Sequence, residues 1–580
     1  MDGFRATLQE EFDSIYVFNL RGNQRTSGEL SRKEGGKIFG SGSRTPIAIT
    51  LLVRNGKRGS SALSAPSARD NAHAENAENA ERGKPRARIF YRDIGDYLSR
   101  EKKLEIIRDM RSMLDPKMQL VEITPNEKND WINQRDGLFD SLIPIEPEKK
   151  YDSAAQSAFL LNTRGLETSR DHITYSFSRP ELERNIRFMF DKYNEVRKTG
   201  EAPSSATEDV ARVVWTRKTR SNLSKKVEYM FSESCCREGI YRPFGKQHAY
   251  MSDEANEYVN HWPRLFPTPQ HKNRVICICG ACIRRPFSCV MTDVIPDLHM
   301  FDEGTQCFPL YVYTKEETDQ LSLFDKGDGG YRRESGITDF MLARCRKEFG
   351  EKVTKEDIFY YIYAVLHSPD YRIRFEADLK KSLARIPLCK TGAEFAAFVK
   401  AGRKLGDLHC GYEKVKPWPD CVVDVKPAQG ELIADGRAGR ATLPDDGRGT
   451  RPACPPGVFA VEKMRFAKKE HPVDENKNGK LDRSELEDRS RILYNDRVTI
   501  RGIPLAAYDY VVNGKSAIEW VMERYQITTN KDSGIVNDPN KWLAENGGER
   551  YIVDLICKVV AVSMETQKIV ASLPRLEFSK

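Results

Sequence analysis

The chain has 580 residues and a mass of 66.3 kDa, too much for one ordinary hydrophobic core, so roughly two to four domains are expected. Hydrophobic residues at 39 % and charged residues at 31 %, with mean hydropathy −0.60, suggest a soluble globular protein with polar loops, and no apolar run approaches the roughly 20 residues needed to span a bilayer. No basic-then-apolar leader opens the chain, and the expected location is cytoplasmic. The net charge of +8 is compatible with a polyanionic partner without requiring one.

Three β-rich runs come first: residues 15–20 (IYVFNL), 47–53 (IAITLLV) and 87–94 (ARIFYRDI). The first runs into the polar loop Arg21-Gly22-Asn23-Gln24-Arg25, which predicts a strand ending at an active-site rim, because ligands of open α/β sheets sit beyond the carboxyl ends of strands. Between the second and third lies the 55–86 stretch, low in large apolar residues and carrying the echo AEN-AEN-AER. Such a segment buries too little surface to offset its ordering entropy and is expected to be a disordered insert at the tip of a hairpin between those two strands. A charged helix over 101–114 and a connector to residue 150 follow.

Beyond residue 150 short strands alternate with helices. Thr354 with Asp357, Thr391 with Glu394 and Ser516 with Glu519 have the capping-box spacing that opens a helix. The first of these helices is stopped by Ser368-Pro369, and the next carries Tyr371, Phe375, Leu379 and Leu383 on one face. Asn513-Gly514 is a tight-turn signal. A core helix is expected from Tyr551 to about Leu573, while the 436–457 stretch is loop by composition.

Several motifs carry competing readings. Asp474, Asn476, Asn478, Gly479, Asp482 and Glu485 stand at EF-hand calcium-loop positions. Pro472 precedes them and the strand-like run 492–500 follows, so a charged hairpin tip is preferred over weak calcium binding. Cys277, Cys279, Cys282 and Cys289 invite zinc, yet two of them alternate with apolar residues at strand spacing and read better as small buried hydrophobes. Thirteen cysteines at irregular spacing do not describe a disulfide framework. The 39–44 stretch (FGSGSR) has the composition of an S-adenosylmethionine glycine loop but leads into a strand instead of a helix; a flexible turn is preferred, with an Arg44–phosphate contact left open. Tyr241-Arg242-Pro243-Phe244, followed by Lys246 and Gln247, offers stacking rings with groups that read guanine and adenine edges, or equally two core aromatics and a structural ion pair. No nucleophile–base or paired-carboxylate set stands out, and a lone histidine such as His367 reads as a cap or core residue.

FDSIYVFNLRGNQR, RIFYRDIGDYLSREKKL, RGLETSRDHITYSFSR, YRPFGKQ, GITDFMLARCRKEF and YNDRVTIRGIPLAAYDYVVNGKSAIEWVMERY resemble the C-terminal portion of type ISP restriction-modification enzymes. The resemblance implies an α/β protein: a partial Rossmann-like methyltransferase sheet in residues 1–100, a connector over 101–150 and a mixed α+β DNA target-recognition domain in 151–580. It implies double-stranded DNA as partner, with Arg21, Asn23, Gln24, Arg25, Arg44, Arg170, Tyr241, Arg242, Lys246 and Gln247 as candidate DNA contacts. The family carries a nuclease, a helicase translocase and an adenine-N6 methyltransferase that uses S-adenosylmethionine. This sequence has no Asn-Pro-Pro-Tyr or Asp-Pro-Pro-Tyr run, so no catalytic residue is assigned. The expectation is a specificity module inactive alone, either a truncated product or one whose missing half is supplied in trans; the alternative is an active split methyltransferase paired with a separate N-terminal half.

Overall fold

In the computed structural model, which describes residues 2–24, 28–39, 43–54, 86–147, 156–200, 212–301, 303–315, 330–426, 440–441, 457–473, 481 and 483–578, Met1–Phe139 form one compact unit and most of the remainder another. The first unit is built outward from a single strand. After helix α1 (Asp2–Glu11), strand β1 (Ser14–Arg21) sends Phe18 and Leu20 into one core and Ile15 into another. Alternate residues buried on opposite faces make a strand central. Beyond α2 (Gly28–Glu34), β2 (Ile47–Val53) joins β1 antiparallel on one side; β3 (Arg88–Asp93) joins it parallel on the other. Helix α3 (Arg100–Asp109) packs over Phe18 and Leu20, and β4 (Val121–Ile123) closes the order β2-β1-β3-β4.

This order corrects the expected hairpin: β2 and β3 do not pair, because β1 lies between them. The reason is burial. Ala48 to Leu51 of β2 are exposed, which suits only a sheet edge, whereas β1 needs a neighbour on each side. Val53 at the end of β2 and Arg88 at the start of β3 both stand opposite Ser14; the 55–86 insert lies outside the described residues except for Arg86. The 101–150 stretch is also more than a connector, since α3 and β4 extend the first sheet. Buried Asp130, paired with Arg5 at 3.0 Å and Arg135 at 2.8 Å, ties its far end back to α1. Helix α3 stops at Asp109, short of the expected residue 114.

The second unit mixes sheets and helices. In chain order its framework is β5 (Thr163–Arg164), α4 (Asp171–Thr174), β6 (Tyr175–Ser176), α5 (Arg179–Thr199), α6 (Arg217–Ser224), β7 (Cys236–Ile240), β8 (Lys246–Tyr250), β9 (Val275–Ile278), β10 (Cys289–Thr292), β11 (Ile295–Pro296) and β12 (Gln306–Pro309). Two four-stranded sheets result, β10-β9-β12-β5 and β11-β7-β8-β6. Helices α7 (Asp339–Phe349), α8 (Lys355–Val365) and α9 (Gly392–Cys410) follow. Then β13 (Val422–Val425), β14 (Arg465–Lys468), β15 (Glu487–Leu493) and β16 (Val498–Arg501) form a sheet with residues 440–441, before α10 (Ala517–Arg524) and α11 (Tyr551–Ala571). The run 492–500 is thus a hairpin of two strands and not one strand.

Local signals hold where they were read. Thr354, Thr391 and Ser516 each accept the amide of the residue three positions on, and Asp357, Glu394 and Glu519 each reach back to the cap. Asn513 and Gly514, with φ of 49° and 79°, make the turn between residues 511–512 and 515–516. The helix after Ser368-Pro369 is interrupted at Phe375 (φ −101°, ψ 23°) and ends at Leu379, so Tyr371, Phe375 and Leu379 stay buried while Leu383 lies beyond it, half-buried.

Helix α8 is buried from Ile358 to Val365 and lies directly on α9. Gly402 permits the approach: a Cβ there would meet the Tyr360 carbonyl oxygen at 1.9 Å, whereas one on Gly406 would meet the flexible Met291 sulfur at 2.8 Å. Under the crossing, the Tyr363 hydroxyl accepts from the Met291 amide at 2.8 Å and reaches His409 Nδ1 at 2.5 Å; His409 Nε2 lies 2.9 Å from Thr566 Oγ1 of α11.

Two predictions follow from this core. Gly402→Ala is expected to destabilise the second unit by about 1–3 kcal/mol through backbone overpacking, and Gly406→Ala by less, read as lowered Tm of the two variants. Burial holds His409 at about 3 against an ordinary 6.5, and lowers His367 well below its usual value. A histidine buried neutral takes up a proton on unfolding, so stability is complete above about pH 6.5 and falls by roughly 1.4 kcal/mol per histidine per pH unit on acidification below it. Tm measured from pH 7 to 5 is expected to drop steeply, with a shallower slope in His409→Asn.

A candidate nucleic-acid interface

The loop between β7 and β8 is a five-residue turn under strain. Arg242 (φ 68°) and Phe244 (φ 59°) are left-handed without being glycine, each a local cost of about 1 kcal/mol or more. Gly245 has no room for a Cβ, which would sit 2.5 Å from the Tyr241 carbonyl oxygen. The fold holds this shape through Asp297, whose carboxylate accepts the Arg242 and His299 amides at 2.8 Å each and pairs with the Arg242 guanidinium. Burial raises the Asp297 pKa, although Arg242 opposes the shift.

Around the turn opens a cleft of about 620 Å³ whose lining includes Arg170, Asp171, Tyr241, Asp297, Arg524 and Asn530. Its floor is aromatic: the rings of Tyr175 and Tyr241 stand 5.0 Å apart, and the Tyr241 hydroxyl donates to Asp171 at 3.0 Å. The Arg524 guanidinium is 6.0 Å from the Tyr241 ring. The Tyr175 hydroxyl is buried without a hydrogen-bond partner. Flat rings flanked by carboxylate acceptors and guanidinium donors suit the edges of bases or the sugar–phosphate backbone.

The candidate contacts divide sharply. Tyr241, Arg242 and Arg170 line or adjoin this cleft, but Arg170 is buried, donating to Thr216 Oγ1 at 3.1 Å and Thr219 Oγ1 at 2.7 Å, with burial depressing its pKa to about 10. Lys246 lies in a second cleft of about 390 Å³, 2.5 Å from Glu413. Gln247 is buried and accepts from Asn537 at 3.0 Å. In place of the exposed readers expected from sequence, Arg170, Arg242, Lys246 and Gln247 are engaged internally. Asp171, Asp297 and Arg524, absent from the sequence-based set, complete the cleft; Asp171 lay within the RDHIT stretch, and nothing local marked the other two.

In the first unit, the carboxyl ends of the parallel strands β1 and β3 bring Asn19 beside Asp93. Arg21, with φ 55°, donates to Asp93 at 2.6 Å and pairs with Asp96; Asn19 donates to Asp93 at 3.1 Å. The Asn23 amide donates to Glu34, the Gln24 side chain to the Gly35 carbonyl, and the Gln24 amide to the Arg44 carbonyl at 3.0 Å. Arg44 is exposed, and Arg25 lies outside the described residues. Residues 43–44 run toward edge strand β2 and open no helix, so this stretch does not fit an S-adenosylmethionine loop, which needs a strand before it and a helix after it.

Cys277 faces Cys307 across β9 and β12 at 3.9 Å, Cys289 is buried against His367, and Cys282 is exposed. Among the described residues no three His, Cys, Asp or Glu side chains gather as a metal site; most of the 474–485 loop lies outside them. No described helix is long and apolar enough to cross a membrane.

The model of the type ISP C-terminal specificity domain matches residues 157–555. The chain belongs to that family. Among solved structures it is similar to the ATP-dependent type ISP restriction-modification enzyme LlaBIII bound to DNA, with 29 % identity and a TM-score of 0.74 over 100 % of this chain and 32 % of that one. A nuclease-deletion mutant of the type ISP enzyme LlaGI in complex with a DNA substrate mimic gives 31 % and 0.71 over 100 % and 38 %, and the cryoEM structure of a DrdV–DNA complex 27 % and 0.70 over 99 % and 49 %. The chain therefore spans about a third to a half of these proteins. No protein of curated function matches it.

Because Asp297 is buried, Arg242→Ala is expected to strand a carboxylate and cost about 3–5 kcal/mol of stability. Thermal unfolding checks this, with partial recovery expected in Arg242→Ala/Asp297→Asn.

Proposed function

We propose that this chain selects the DNA site of a type ISP restriction-modification system, the second unit binding a particular duplex sequence. The observation that carries the reading is the specificity-domain match over 157–555, set on a fold whose cleft joins an aromatic floor to charged hydrogen-bonding groups. On this reading the β1 rim, with Asn19, Arg21 and Asp93, borders the place where an adenine would be modified by the complete enzyme. S-adenosylmethionine belongs to that enzyme and has no fitting loop here. Methyl transfer requires the base to be extruded and a donor to be bound. Lacking the Asn-Pro-Pro-Tyr or Asp-Pro-Pro-Tyr run, the chain chooses the position and does not perform the chemistry.

The test is selection of bound duplexes from a randomised pool, followed by anisotropy titration at several salt concentrations. A recovered site bound at least about 10³-fold more tightly than unrelated duplex is expected. Uniform affinity for all sequences would overturn the specificity assignment, and methyl transfer by the chain alone would overturn its inactive part.

A further inference from the structure

The cleft accounts for part of a DNA-binding surface but leaves out the most cationic stretch of the second unit. From Arg212 to Val227 the sequence contains no Asp or Glu, and α6 occupies its centre. The helix exposes Arg217, Arg220, Ser221 and Ser224, at the i, i+3, i+4, i+7 spacing of one helical face, and the chain leaves it through exposed Lys225 and Lys226. The side chains on that face are cations and hydroxyls, with no carboxylate among them. Its cations carry no ion pair among the described residues: Lys218, to the side, takes Asp253 at 2.6 Å, and Arg197 takes Glu228 at 3.1 Å.

Nothing in the packing of α6 requires those charges. Its inner side is secured by Thr219, which accepts from Arg170, by Asn222, which donates to the Tyr229 hydroxyl at 2.9 Å, and by Leu223 and Trp215 against the Tyr193–Tyr229 core. The result is a helix with an outer face about 10 Å long that carries two guanidiniums and two hydroxyls and no acidic group. With guanidinium, ammonium and hydroxyl groups and no carboxylate among them, the face attracts a polyanion at every position. Phosphate oxygens, acceptors only, match it.

We propose that the outer face of α6 and its Lys225-Lys226 exit form a binding site for the phosphodiester backbone of duplex DNA, gripping it independently of sequence. The proposal rests on the DNA-binding reading above and adds a second contact to it. That contact supplies salt-dependent affinity, while sequence choice resides elsewhere.

The experiment compares the full chain with R217A/R220A/K225A/K226A by anisotropy, from 50 to 300 mM salt, on the selected duplex and an unrelated one. Alanine favours the exposed helix positions 217 and 220, and at Lys226 (φ 57°) it replaces one non-glycine residue by another, so Tm should be kept. If each cation meets one phosphate, the slope of log affinity against log salt falls by about 3–4. Both duplexes should weaken by the same factor, tenfold or more, with their ratio preserved, and R217K/R220K, which keeps the charge, should retain the parent slope. An unchanged slope in the quadruple variant, or a loss confined to the selected duplex, would overturn the proposal. A parent chain that binds no duplex would instead defeat the reading beneath it, a result distinct from either.

Discussion

The ion pair between Arg242 and Asp297 organises the second unit's cleft. Asp297 holds the backbone of the strained β7–β8 turn, starts the 298–300 turn through the His299 amide, and its neighbour Leu298 binds the Leu166 carbonyl. The β7–β8 turn and the 297–300 segment thus meet on one carboxylate, and the 166 segment joins them through the Leu298 backbone. Burying that pair carries a desolvation cost which Coulomb attraction alone offsets poorly; the two backbone amides supply the difference, and the left-handed Arg242 and Phe244 are held by it. The return is a preformed wall: Tyr241 is fixed over Tyr175, and Asp171 is oriented by the Tyr241 hydroxyl.

Such a site spends its most conspicuous cation on architecture. Arg242 looks from sequence like a base reader, and so do Lys246 and Gln247; each is answered by a partner far along the chain, at Asp297, Glu413 and Asn537. On α6, by contrast, Arg217 and Arg220 are exposed and carry no ion pair among the described residues, in a stretch without Asp or Glu. A net charge of +8 says little about this, because the distribution and not the sum decides whether a backbone can be gripped.

Sequence legibility follows the range of the physics involved. The capping boxes at Thr354, Thr391 and Ser516 and the Asn513-Gly514 turn depend on a few neighbouring residues and were readable. The β1 strand and the closing α11 helix were legible from apolar spacing. Pairing was not: that β2 and β3 lie on opposite sides of β1 depends on which strand must be buried on both faces, a property of the assembled sheet. The interruption at Phe375 is illegible for a related reason, since the apolar stripe survives a break that keeps Tyr371 and Leu379 buried. Family resemblance located the domain; it did not say which polar side chains face outward.

Arg170 stands at the junction of these features. It lines the cleft, while its guanidinium props the first turn of α6 through Thr216 and Thr219. Segments 166–172 and 215–227 are consequently one mechanical part, although some forty residues separate them. Anyone grafting a new recognition loop from a relative would have to transplant both together, or accept a cation buried with no hydroxyls to receive it.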